Sequence, residues 1–212
     1  MSLMWKKASE YQFQHNPGQA NSFQRRALDW AKENDDYNTA IDVLRQGGRY
    51  LSKQEQYTVA ESQFHQALQI AVVQEDLLLQ ADIRIELVEF YIAGTETRRA
   101  VEQLLVLEQL DLSEVQRIRL LGIHALISRT EGNMDKSLRL FLEARRLAKN
   151  ISHWGLATDL GLLAVETLID LEQEEAANKY LDAIKDEVEE HDRLKKFQIL
   201  EKRILAWKNS ED

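Results

Sequence analysis

The chain has 212 residues with a formal net charge of −9, and it contains one proline, eight glycines and no cysteine. The lack of cysteine excludes disulfides, thiolate nucleophiles and cysteine metal sites, and the acidic balance argues against direct nucleic-acid binding, which needs a basic face. Since no apolar run is long enough for a membrane span or a signal peptide, we expect a cytoplasmic protein without membrane contact.

The commonest residues are strong helix formers and predict helix nearly throughout the chain. Breaks between helices fall at Gly94-Thr95, Asp111-Leu112, Gly132-Asn133 and Asn150 to Ser152. Ser113 and Gln116 have the spacing of a capping box, and Ser152 is a candidate N-cap. This punctuation predicts ten antiparallel helices in five hairpins, at about 4–34, 36–74, 77–110, 113–150 and 152–190.

An eleventh helix is predicted over 192–208. Its apolar stripe comprises Leu194, Phe197, Leu200, Ile204 and Trp207. A stack of helices needs its exposed end covered, so we interpret this helix as a cap, with a partner-docking helix as the alternative.

A frame of a small, a bulky and a second small residue recurs along the chain. Its copies are Ala60, Phe64 and Ala67; Ala100, Leu104 and Leu107; Ser137, Phe141 and Ala144; Ala176, Tyr180 and Ala183; and a weaker Ala20, Gln24 and Ala27. The first members are 40, 40, 37 and 39 residues apart. Periods of this size indicate stacked units, each unable to bury its apolar face alone.

The frame resembles the tetratricopeptide repeat, whose second helix carries small, aromatic and small residues. Twelve positions before each first small residue stand Ala8, Gly48, Val88, Ala125 and Ala164, where that family keeps a small residue for close helix contact. The periods exceed the family's roughly 34 residues, and no unit ends in the family's usual proline. The longer helices are similar to helical-repeat domains of bacterial regulators, which makes a bacterial source the expectation.

The resemblance implies an all-α fold, a right-handed α–α superhelix of about five helical hairpins with a C-terminal cap helix. It covers nearly the whole chain, so we expect a single solenoid domain over residues 1–212 that is elongated and monomeric. A dimer is the alternative.

No set of residues in the sequence supports catalysis. None of the five histidines pairs with another histidine or a carboxylate at metal-ligand spacing, and no phosphate-binding glycine loop or nucleophile elbow is present. The acidic run 187–192 is typical of a solvated helix end. We therefore expect a protein that is not an enzyme, with no cofactor and no metal.

The resemblance assigns the concave groove to particular positions of each first helix. These candidate binding residues are Arg45, Arg49, Glu89, Arg119, Gly122, Leu126, Arg129, Gly161, Val165 and Leu168. The paired guanidinium groups of Arg45 and Arg49 suit a carboxylate or phosphate. We nevertheless favour the interpretation that they are solvated arginines balanced by Asp42.

Two glycines, Gly122 and Gly161, share one position in the middle of predicted first helices, where each costs about 1 kcal/mol relative to alanine. They either allow neighbouring helices to pack closely or leave space for a ligand side chain beside Leu126 and Val165. We expect close packing at Gly161 and a ligand pocket at Gly122, which two arginines flank.

The sequence thus predicts a protein–protein interaction module, an adaptor or scaffold that binds a peptide or helix in its concave groove. The alternative is a ligand- or peptide-sensing regulatory domain of a bacterial transcription or signalling protein.

Overall fold

The computed structural model describes residues 17–191 and 193–208, which form eleven helices and no strand. They are α1 (Pro17–Glu33), α2 (Tyr37–Lys53), α3 (Tyr57–Val73), α4 (Leu77–Ala93), α5 (Thr97–Leu107), α6 (Glu114–Thr130), α7 (Met134–Asn150), α8 (Trp154–Asp170), α9 (Glu174–Ala183), α10 (Lys185–Glu190) and α11 (Leu194–Lys208). Consecutive helices pack in pairs, which confirms the predicted all-helical architecture. The predicted first helix, in 4–16, lies outside the described residues.

Seven of the eleven described helices have the same length. Helices α1 to α4 and α6 to α8 each have 17 residues, and three residues connect each of them to the next helix. Helix α5 has only 11 residues and ends at Leu107. The connection that follows it, 108–113, is three residues longer than these connections. Together the two changes explain why one step of the sequence frame is 37 residues instead of 40.

The middle residue of each three-residue connection takes a left-handed backbone conformation. The residues are Asp35, Glu55, Glu75, Thr95, Ser152 and Glu172, with φ between 53° and 61°, and Gly132, with φ of 80°. The following amide closes the helix end: Gln56 N, for example, donates to Leu51 O at 3.0 Å. These turns explain why the connections are short and uniform without requiring glycine at each one.

Helix starts were predicted with mixed success. The capping box is confirmed, because Ser113 Oγ accepts from Gln116 N at 3.3 Å and Gln116 Oε1 accepts from Ser113 N at 3.0 Å. The N-cap of α8, however, is His153 rather than Ser152. Ser152 occupies the left-handed position of the turn instead, which places its side chain one residue too early to cap the helix.

The described residues divide into two compact units, one up to Leu112 and one from Ser113. In both units the sequence frame forms the contact between paired helices. Its buried members are Gln24, Ala27, Ala60, Phe64, Ala67, Ala100, Leu104, Leu107, Ser137, Phe141 and Ala144. A Cβ atom at Gly48 would lie 2.9 Å from Phe64 Cζ, so the small residue expected there does permit close helix contact.

The last copy of the frame was assigned one residue too early. Ala176 and Ala183 are exposed and Tyr180 is only partly buried, whereas Ala177, Leu181 and Ile184 are buried. The reason is the regular spacing: α9 begins 40 residues after α7 (174 against 134), so the residue equivalent to Ser137 is Ala177.

Helix α11 packs against α8, α9 and α10. Phe197, Leu200 and Ile204 of its predicted stripe are buried in one core with Val165 and Leu181. Leu194 is 41% exposed, and the Trp207 side chain lies outside the described part of the chain. Among the described helices, none is both long enough and apolar enough to cross a bilayer.

Candidate functional site

In the first unit, a buried carboxylate joins the two candidate arginines of α2. Glu86 on α4 accepts from Arg45 Nε at 3.1 Å and also from the Nη2 atoms of Arg45 and Arg49. The side chain of Glu86 is 4% exposed, that of Arg45 13% and that of Arg49 52%. Asp42 reaches only 3.9 Å from Arg45, so Glu86, not Asp42, is the main partner of this pair.

The charge on Glu86 is maintained by its two partners. Burial by itself would raise the pKa of this carboxyl, but the hydrogen bonds and charges of Arg45 and Arg49 hold the pKa below its ordinary value. Glu86 is therefore ionised near neutral pH, and one carboxylate fixes two guanidinium groups on the face of the first helices α2 and α4.

Sequence reasoning missed Glu86 because the predicted groove position is occupied by its neighbour, Ile85. The signal was nevertheless present. Glu86 follows Arg45 and Arg49 by 41 and 37 residues, about one repeat, and bears the opposite charge. Glu89, the other candidate on α4, is exposed.

In the second unit, Arg129 on α6 contacts two carboxylates of α8. Its Nη1 donates to Glu166 at 3.0 Å and its Nε donates to Asp170 at 2.8 Å. These separations, 37 and 41 residues, repeat those of the Glu86 cluster. Burial would lower the pKa of Arg129, but both carboxylates raise it, so the arginine stays charged.

The carboxylates that hold Arg129 are shared with the C-terminal helix. Lys196 and Arg203 of α11 lie 3.1 Å and 3.2 Å from Glu166 and Asp170. The network therefore joins three helices, and Arg129 is not an isolated cation at the rim of a pocket.

The glycines lie at close helix contacts. A Cβ atom at Gly122 would lie 2.9 Å from Leu160 Cδ2, and one at Gly161 would lie 2.8 Å from Arg145 Nε. The expected packing at Gly161 agrees with this geometry. At Gly122 the expected open space is absent, because Leu160 of the neighbouring helix fills it.

The other apolar candidates belong to the protein core. Val165 and Leu168 are buried and pack in the cluster that contains Phe197. Leu126 is partly buried against the core around Phe141, and Arg119 is partly exposed. Among the charged candidates the structure therefore brings together Arg45 and Arg49, through Glu86. Arg129 contacts carboxylates that were not predicted, and the apolar candidates are packed against the core.

Ion pairs separated by about one repeat also join the helices that follow the first helices, α3 with α5 in one unit and α7 with α10 in the other. Arg99 on α5 contacts Glu61 on α3 and lies 4.5 Å from the ring centroid of Tyr91. In the second unit, Arg145 and Lys149 on α7 donate to Glu187 on α10 at 2.7 Å and 2.6 Å. Charged contacts thus connect successive pairs on both helix layers.

No group of three His, Asp or Glu side chains in the described residues is arranged to hold a metal ion.

No protein-family model matches the sequence, and comparison with curated proteins gives no match. The resemblance to tetratricopeptide repeats therefore remains a prediction.

Proposed function

We propose that this chain is a non-enzymatic protein–protein interaction module with tetratricopeptide-like repeats in a right-handed superhelix. It would act as an adaptor or scaffold and bind a peptide or helix along the face of its first helices. The observation that best supports this proposal is the fixed arrangement of charged side chains on that face, around Glu86 in one unit and around Arg129 in the other.

Fixed charges favour binding because less conformational entropy is lost when a partner docks. An arginine side chain free in solvent loses about 2 kcal/mol of rotamer freedom when it is immobilised. Arg49 is already held by Glu86, yet its side chain is 52% exposed. Its remaining N–H donors suit a carboxylate of the partner.

The test compares two arginine variants in affinity capture from the organism that encodes the chain, followed by mass spectrometry and binding measurements with the purified partner. Arg49→Gln removes the exposed charge, and Glu86 keeps Arg45 as its partner. Arg98→Gln is the matched control, because Arg98 lies on the second helix α5 with its side chain 92% exposed.

We expect Arg49→Gln to weaken partner binding by about tenfold or more, the size of one charge-assisted hydrogen bond, while Arg98→Gln leaves the affinity unchanged. Equal binding by both variants would contradict a role for the first-helix face. If native mass spectrometry finds a bound small molecule and no protein partner, the chain is a ligand-sensing domain instead.

A further inference from the structure

The C-terminal helix carries a charge opposite to that of the rest of the protein. Residues 194–208 contain five Lys or Arg and one Glu, a net charge of +4, which leaves −13 for the remainder of a chain whose total is −9. A basic helix on an acidic protein is a distinct electrostatic feature.

One face of α11 is fully explained by its own protein. Phe197, Leu200 and Ile204 fill the core, and Lys196 and Arg203 beside them bind carboxylates of α8 at 3.1 Å and 3.2 Å. Covering the last helical pair therefore needs only this half of the helix.

The opposite face is exposed and combines basic with apolar side chains. Ile199 and Leu205 are each 52% exposed, and Lys195 and Lys202 are exposed beside them. Their spacing, at 195, 199, 202 and 205, places them on one side of the helix in the pattern of a helix–helix contact. A helix face buried in the core would carry apolar residues only, and a face exposed only to solvent would not need Ile or Leu. The outer face of α11 has both basic and apolar residues.

We propose that this outer face of α11, comprising Lys195, Ile199, Lys202 and Leu205, docks an acidic amphipathic helix of a partner protein. Carboxylates seven residues apart on the partner would pair with Lys195 and Lys202, and an apolar side chain between them would contact Ile199. This surface is separate from the first-helix face of the proposed function, so each can fail without the other.

The charges of α11 and of the rest of the chain argue against two other occupants of this face, a second copy of α11 and an anionic bilayer. A symmetric contact between two copies of α11 would bring lysines of one copy towards lysines of the other, since such a contact uses the same surface twice. An anionic bilayer would attract α11 but repel the rest of the chain, whose net charge is −13. An acidic helix would be attracted to the same lysines, and its contact area is much smaller than that of a bilayer, so it meets less repulsion from the rest of the chain.

The test uses a synthetic helical peptide with Glu at seven-residue spacing and Leu between the Glu residues, and a sister peptide with Lys in place of Glu. Binding is followed by amide NMR shifts of the full chain. The double variant Lys195→Glu and Lys202→Glu is compared with Lys32→Glu and Lys53→Glu, two exposed lysines outside α11.

We expect saturable shifts confined to 194–206 with the acidic peptide, weakening with added salt, and none with the basic peptide. The α11 variant should bind roughly tenfold more weakly, since two exposed ion pairs are reversed, and the control variant should bind normally. Equal binding by both variants, or shifts spread over the whole protein, would overturn the proposal. So would dimerisation through this face in sedimentation, or recruitment to vesicles of phosphatidylcholine and phosphatidylserine that depends on Lys195 and Lys202.

Discussion

Replacing Glu86 by Gln should destabilise the protein strongly, because it leaves the charge of Arg45 without its partner. Arg45 and Glu86 have side chains 13% and 4% exposed. Removing one member of a buried ion pair typically costs 3–5 kcal/mol, and since Gln can still accept a hydrogen bond we expect a loss of about 3 kcal/mol. Urea unfolding followed by circular dichroism at neutral pH measures this loss.

Two further variants separate the charge effect from simple loss of packing. Arg49→Gln should cost less than about 1 kcal/mol, because Arg49 is half exposed and solvent screens its pair. Replacing both buried partners, with Arg45→Met and Glu86→Leu, should restore stability to within about 1 kcal/mol of the wild type. If Glu86→Gln costs no more than Arg49→Gln, the buried cluster does not have the role assigned to it.

The same cluster makes stability depend on pH. The folded-state pKa of Glu86 lies below its ordinary value, so its stabilisation is present above the unfolded pKa of about 4.3. It is lost as the pH falls through the folded-state pKa. The wild type should therefore lose more stability than Glu86→Gln when urea unfolding is repeated at progressively lower pH below 4.3.

Three further predictions concern the turns, a helix contact and the C-terminal helix. Glu55→Gly should raise stability by about 0.5–1 kcal/mol, because glycine adopts positive φ without the roughly 1–2 kcal/mol penalty of other residues. Gly132→Ala should lower stability by a similar amount. A loss of stability for Glu55→Gly, or a gain for Gly132→Ala, in thermal unfolding would contradict the turn assignment. Gly122→Ala should cost about 1–3 kcal/mol by crowding Leu160, and a stabilised variant would point to open space instead. Ending the chain at His191 should expose the core under α11, lower the melting temperature and promote aggregation; a truncated protein that is equally soluble and stable would show that α11 serves only for docking.

The architecture was predictable because local signals agree with one another. Strong helix formers, a capping box at Ser113 and a repeated frame all indicated paired helices. The fifth frame was misplaced because Ala176 and Ala177 are both small, and composition alone does not distinguish them. The constant spacing of helix starts resolves this ambiguity, since it makes Ala177 the equivalent of Ser137.

The charged clusters were only half predictable. Arg45, Arg49 and Arg129 were identified, but their partners were not, because long side chains reach across to a neighbouring helix and need not occupy the expected groove position. The environment of the glycines was equally hidden. Whether Gly122 faces a ligand or another helix depends on Leu160, 38 residues further along the chain (160 against 122), which sequence periodicity does not locate.

If partners bind the face of the first helices, binding should protect the backbone amides of those helices. The most direct measurement is hydrogen exchange of the chain with and without its captured partner. We expect increased protection of peptides within 37–53 and 77–93, the helices that hold Arg49 and Glu86, and little change in 57–73 and 97–107. Protection confined to 57–73 and 97–107, or absent from all four helices, would contradict binding at the face of the first helices.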